Sequence, residues 1–111
     1  MIKIGKLAKI CNTSTQTLRY YDMQGVLKAD HIDSKTGYRF YTAEAVEKYK
    51  KIMLYKNLGF SLEEIKVLNA LPADQAHEMM LRKKEELQSS IKNIQEQLEA
   101  IEDISRNPDS F

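Results

Sequence analysis

At 111 residues, 42% hydrophobic and 30% charged, the chain can bury a modest core but has little room for a large enclosed active site. No apolar run approaches the roughly 18 residues of a membrane span, and Met1-Ile2-Lys3-Ile4-Gly5-Lys6 lacks the apolar core and small-residue cleavage site of a signal peptide, which makes the cytosol the default compartment. One cysteine and two separated histidines provide neither a disulfide nor a zinc ligand set, so no metal or cofactor is expected. The net charge of +1 hides an asymmetry. Residues 1–70 carry 12 Lys/Arg against 7 Asp/Glu, whereas residues 71–111 carry 5 against 9. Only the first part has the balance of a polyanion binder.

In chain order, the first predicted helix begins near Ile4 and sets Ile4, Leu7, Ala8 and Cys11 at the i, i+3, i+4, i+7 spacing of one buried face. Asn12 tolerates the left-handed conformation that ends a helix, and Thr13-Ser14-Thr15-Gln16 has the form of a capping box for the next. That second helix, Ser14 to Met23, turns Leu18 inward and projects Thr15, Gln16, Arg19 and Tyr20. Gly25 marks its end. Two β-prone runs, Ala29 to Ile32 and Tyr38 to Tyr41, flank the polar loop Asp33-Ser34-Lys35-Thr36-Gly37 and read as a hairpin. Thr42 can cap a third helix, Ala43 to Leu58, with Val46, Tyr49 and Met53 inward and Gly59 as terminator. Ser61-Leu62-Glu63-Glu64 is a further capping box opening a short helix that buries Leu62, Ile65 and Leu68 and stops before Pro72.

From Ala73 to Ser105 there is no Gly or Pro, and Leu87, Ile91, Ile94, Leu98 and Ile101 follow at spacings of 4, 3, 4 and 3. This is a heptad seam. A helix of this length spans about 50 Å at 1.5 Å per residue, more than the preceding globule can cover, so a second copy is the simplest partner for its far end. Asn107 to Phe111 is expected to be a frayed tail. The expected organisation is therefore a domain over 1–71, a dimerisation helix over 72–106 and a tail over 107–111.

A short helix presented after a tight turn fits the major groove, where polar side chains reach base edges and cations grip phosphates. Thr15, Gln16 and Thr17 supply short polar groups, Arg19 a bidentate fork, and Tyr20 and Tyr21 hydroxyls on rigid stems. The two tyrosines lie about 100° apart on a helix, so one can face DNA while the other is core, and either assignment is open. In the hairpin, Lys35, Tyr38, Arg39 and Tyr41 make a basic aromatic cluster, although alternating aromatics in a strand also fit a core. Lys48, Lys50, Lys51 and Lys56 read as a solvated helix face, His31 and His77 as surface or capping residues, and Cys11 as a small core residue with no feature to activate its thiol. Glu63 and Glu64 have no His or Ser partner, and no catalytic constellation is found.

Four ordered stretches, Ile4-Gly5-Lys6-Leu7-Ala8-Lys9, Thr17-Leu18-Arg19-Tyr20-Tyr21-Asp22, Gly37-Tyr38-Arg39-Phe40-Tyr41 and Leu58-Gly59-Phe60-Ser61-Leu62-Glu63-Glu64-Ile65, resemble the successive signatures of MerR-type transcription regulators. The resemblance covers residues 2 to about 70, and Asn12 stands where the family usually has Gly. It implies a mainly α fold, a winged helix-turn-helix with a small β-hairpin wing followed by a long coiled-coil helix that pairs antiparallel with its copy. It further implies a non-enzymatic bacterial, nucleoid-associated homodimer on double-stranded DNA. The dimer would sit on a pseudo-palindromic promoter spacer, bend and untwist it, and so act on RNA polymerase indirectly. By position, Thr15 to Tyr21 grip the half-site with Arg19 and Tyr20 as main anchors, while Tyr38, Arg39 and Tyr41 form the wing. The metal-sensing branch places cysteines after the dimerisation helix, and none follows here. The Asp33 to Tyr41 wing resembles the drug-sensing branch, whose further ligand-binding domain would be either missing from this chain or absent by nature. The competing reading from another class is a dimeric protein-interaction module, which would not require Arg19, Lys35 and Arg39 on its presenting elements and would lack a steep salt dependence.

Overall fold

The computed structural model describes residues 1–110. Two compact units divide after Ala70. The first begins with a two-residue strand, β1 (Ile2–Lys3), running directly into helix α1 (Ile4–Cys11). Leu7 and Ala8 are buried on the expected face. Asn12 ends α1 at φ 54°, ψ 50°, with its N–H reaching back to the carbonyls of Ala8 and Lys9. The helix that follows, α2 (Thr15–Met23), is capped by Ser14, whose Oγ accepts from the Thr17 N–H at 3.0 Å. The capping pair is thus Ser14 with Thr17, one position beyond the Thr13/Gln16 box expected from sequence. Leu18 and Tyr21 point inward.

Strands β2 (His31–Ile32) and β3 (Arg39–Tyr41) form the hairpin, and β1 pairs with the other edge of β3, giving an antiparallel sheet in the order β1-β3-β2. Ile2 stands opposite Tyr41, and His31 opposite Phe40. A two-residue strand fused to a helix start carries no periodicity, which is why β1 escaped the sequence reading. In the hairpin loop, Asp33 Oδ1 accepts from the Lys35 and Thr36 N–H groups at 2.8 and 3.0 Å. These bonds, Thr36 foremost, hold the exposed Asp33 carboxyl below its ordinary range.

Helix α3 (Glu44–Asn57) starts without a side-chain cap, the Thr42 carbonyl taking the Ala45 N–H instead of its hydroxyl acting. Its inward residues are Ala45, Tyr49, Ile52 and Tyr55. Tyr49 is inward as expected, whereas Val46 and Met53 are only half-buried and their neighbours Ala45 and Ile52 take the inward positions. Gly59, at φ 93°, turns the chain into α4 (Leu62–Ala70). Here the predicted box forms: Glu64 N–H donates to Ser61 Oγ at 3.2 Å and Ser61 N–H to Glu64 Oε1 at 2.9 Å. Ile65 and Leu68 are buried, whereas Leu62 is partly exposed. The centre of the unit is Leu7, Leu18, Tyr41, Ile52 and Ile65. Burial of each such aliphatic side chain contributes roughly 1.5–3 kcal/mol, which knits α1 to α4 and β3 together.

The second unit is α5 (Ala73–Arg106), 34 residues without a buried side chain. Leu87, Ile91, Ile94, Leu98 and Ile101 are 47–60% exposed in the single chain. Where a frayed tail was expected, Pro108–Ser110 form a 3-10 turn and the Asn107 N–H bonds the Asp103 carbonyl; Phe111 lies outside the described residues.

Candidate nucleic-acid interface

Gln16, Arg19 and Tyr20 are exposed along the outward face of α2, Tyr20 by half its surface, with Met23 completing the i, i+3, i+4, i+7 row. Thr15 and Thr17 are half-buried. The Thr17 hydroxyl lies 2.9 Å from Ser14 Oγ, so it helps close the helix start. Beside this face runs a shallow groove lined by Gln16, Thr17, Tyr20, Tyr21, Lys56 and Leu62.

Tyr21 corrects one expectation. At 3% exposure it is a core residue, its ring 6.4 Å from that of Tyr49. Of the adjacent tyrosines, Tyr20 is therefore the outward one. Lys56 Nζ donates to Tyr21 Oη at 3.2 Å, which draws a cation from α3 to the edge of the groove. Sequence had placed Lys56 on a solvated face; nothing in α3 alone marks it, because its placement depends on α2.

On the wing, Lys35 is exposed in the loop and Tyr38 stands 57% exposed. Lys3 Nζ sits 5.3 Å from the Tyr38 ring centroid, bringing a β1 cation to the wing, a contact worth about 0.5–1 kcal/mol at an exposed site. Arg39 is different: its Nε donates to Asp22 Oδ2 at 2.8 Å, with the two side chains 23% and 12% exposed. Asp22 Oδ1 also accepts from the Ala29 N–H at 2.8 Å. A carboxylate in the last turn of α2 opposes the helix macrodipole. That misfit was the available signal that Asp22 needs a partner, and sequence reading passed over it.

Tyr41, expected on the wing surface, is fully buried, and its hydroxyl has no hydrogen-bond partner among the described residues. Burial, with the Asp22 and Asp30 carboxylates opposed by Arg39, pushes its pKa up to about 12. The packing gives the reason: β3 lies against α1, and at that end of the strand the Tyr41 side chain is enclosed in the core. It is not available to a ligand surface. Cys11 lines an apolar groove with Ile10, Val46, Met53 and Leu54. Burial raises its thiol pKa, partly countered by Lys50, so little thiolate exists at neutral pH.

The geometry is thus an outward polar helix face between a cation from α3 and a basic aromatic hairpin, the shape required to enter a groove and hold its walls. Comparison with known proteins identifies the family. The MerR helix-turn-helix regulatory protein family model matches residues 2–70, and the MerR DNA-binding model matches residues 46–106. The chain is 28% identical over 107 residues to the transcriptional regulator ZntR of Escherichia coli, covering 96% of this chain and 75% of ZntR. It is 32% identical over 98 residues to the mercuric resistance operon regulatory protein of Bacillus cereus, covering 83% and 74%. Among solved structures, the N-terminal part of the Bacillus subtilis multidrug transporter activator, MtaN, superposes with a TM-score of 0.80 at 26% identity over 92% of this chain and 95% of that one. EcmrR, solved in complex with DNA, superposes with a TM-score of 0.79 at 31% identity over 98% of this chain and 40% of that one. The protein belongs to the MerR family of helix-turn-helix DNA-binding transcription regulators.

Proposed function

We propose that residues 1–71 form the DNA-binding domain and 72–106 the dimerisation helix, and that the protein acts as a cytoplasmic homodimer on a pseudo-palindromic promoter spacer. Gln16, Arg19 and Tyr20 enter the major groove, with Thr15 and Thr17 at the helix start. Lys35, Tyr38 and Arg39 hold the flanking backbone, with Lys56 on the other side. The observation that carries this reading is the exposed face of α2 bracketed by cations from α3 and the wing. Dimerisation is supported by the apolar seam Leu87, Ile91, Ile94, Leu98 and Ile101, which stands exposed in the single chain. Two α5 helices paired antiparallel cover it and set two α2 helices apart to meet two half-sites.

Regulation follows by deformation. A dimer that bends and untwists the spacer changes the alignment of promoter elements for RNA polymerase without extensive contact to the enzyme. The DNA-bound form of EcmrR supports duplex DNA as the partner. The test is selection of duplexes from a randomised pool followed by footprinting. A palindromic site protected on both half-sites, with hypersensitivity at its centre, is the expected result. No enriched sequence, and binding without salt dependence, would refute it.

A further inference from the structure

Helix α2, the recognition helix on the reading above, and the wing are joined by one carboxylate. Asp22 is 12% exposed, and burying an anion at a helix C-terminus is unfavourable unless it is hydrogen-bonded. Its two bonds answer that requirement in different directions. Oδ1 holds the Ala29 N–H, fixing the segment that leaves α2, and Oδ2 holds Arg39 Nε, fixing β3. Arg39 is attached through Nε alone, so the terminal amino groups of its fork are not engaged by Asp22. Lys35 and Tyr38, by contrast, have no such bond to α2 and stand on the exposed loop side of the wing.

We propose that Asp22 is a positioning residue for DNA binding: it holds Arg39 by Nε, leaving the terminal edge of the guanidinium for a backbone phosphate, and locks wing and recognition helix into one reader. The inference rests on the DNA-binding reading above. It contradicts the simple charge argument, by which removing an anion beside a phosphate-binding surface should tighten binding. Under the positioning role the sign reverses. Losing Asp22 loosens Arg39, and the loss of one oriented phosphate contact per half-site outweighs the removed repulsion.

Asp22→Asn keeps an acceptor for the Ala29 N–H and removes the charge that holds Arg39, which makes it the variant of choice. Binding to a short duplex of random sequence, measured at several salt concentrations, should weaken by about tenfold, with the slope of log K against log salt falling by nearly 2 per dimer at about 0.9 per contact. A thermal melt of the free protein runs alongside, because a merely structural role would lower the melting temperature and leave the salt slope intact. In an Arg39→Ala background, Asp22→Asn should weaken binding no further, since its effect passes through Arg39. Arg39→Lys keeps the net charge but loses the Nε bond; it should weaken binding likewise, and it decides the matter if Asp22→Asn does not fold. Unchanged or tighter binding by Asp22→Asn with an unchanged slope, or full affinity in Arg39→Lys, overturns the positioning role alone. Salt-independent binding by the unsubstituted protein would overturn the DNA-binding reading and the inference with it.

Discussion

The winged unit and the long helix solve opposite problems with similar materials. Residues 1–70 bury aromatics and aliphatics on short elements, down to the complete burial of Leu7, Leu18, Tyr41 and Ile65. Helix α5 buries none of its side chains within the chain and displays a row of Leu and Ile instead. The first unit is specified by its own contacts, while the second leaves its apolar row uncovered, to be completed by a second copy on the dimer reading proposed above. Substitutions should therefore act through folding or surface chemistry in the one and through association in the other.

The sharpest test of that contrast lies in the seam. Replacing Ile94 and Leu98 with Asp puts charge where two helices should meet, and sedimentation is expected to show monomers with an intact winged domain and loss of tight operator binding. An unsubstituted protein that sediments as a monomer at micromolar concentration would break the comparison outright. Next in size is Arg19→Ala, which touches nothing in the core. It should leave the melting temperature alone and weaken operator binding by about 1–3 kcal/mol if the guanidinium reads a base, with a smaller loss on scrambled DNA. Equal losses on both duplexes would make Arg19 a phosphate clamp.

Smaller effects probe the inner side of the winged unit. Tyr41→Phe removes a buried hydroxyl that has no partner among the described residues. Chemical denaturation should show it neutral or stabilising by up to about 1 kcal/mol, the reverse of the usual sign for a core substitution. Marked destabilisation would mean that the hydroxyl is satisfied in solution. Cys11→Ala should change stability least, about 1 kcal/mol or less, because the side chain is small and only half-buried. Alkylation of the unsubstituted protein should be slow at neutral pH and accelerate as the pH rises past the ordinary thiol range, following the raised pKa. Rapid modification at neutral pH would contradict that.

Much of this was legible in the sequence because it is local. Asn12 announces its left-handed turn, and Ser61 with Glu64 announces a reciprocal cap; both need only neighbours a few residues away. What stayed hidden depends on partners far along the chain. Tyr20 and Tyr21 are indistinguishable until α3 supplies Tyr49 and Lys56 to receive the inner one. Tyr41 sits in the same basic aromatic run as Tyr38 and Arg39, and only the packing of β3 against α1 takes its side chain into the core. Asp22 and Arg39 are 17 positions apart and lie in different elements, so no periodicity links them. The capping shift from Thr13 to Ser14 is a smaller case: two hydroxyl residues in succession offer equivalent chemistry, and the left-handed Asn12 fixes which one meets the free amides.

The pairing of Ile2 with Tyr41 has a consequence for the order in which the molecule takes shape. Strand β1 has no partner until some forty residues later, and closing so long a loop carries an entropic cost that the hydrogen bonds within α1 and α2, each only four residues apart, never meet. The helices are thus expected to form early and the sheet to close last, after the transition state, so that substitutions at Ile2 accelerate unfolding while leaving the folding rate almost unchanged. A bulky affinity tag fused directly ahead of Ile2 would burden that final step and is expected to speed unfolding in the same way.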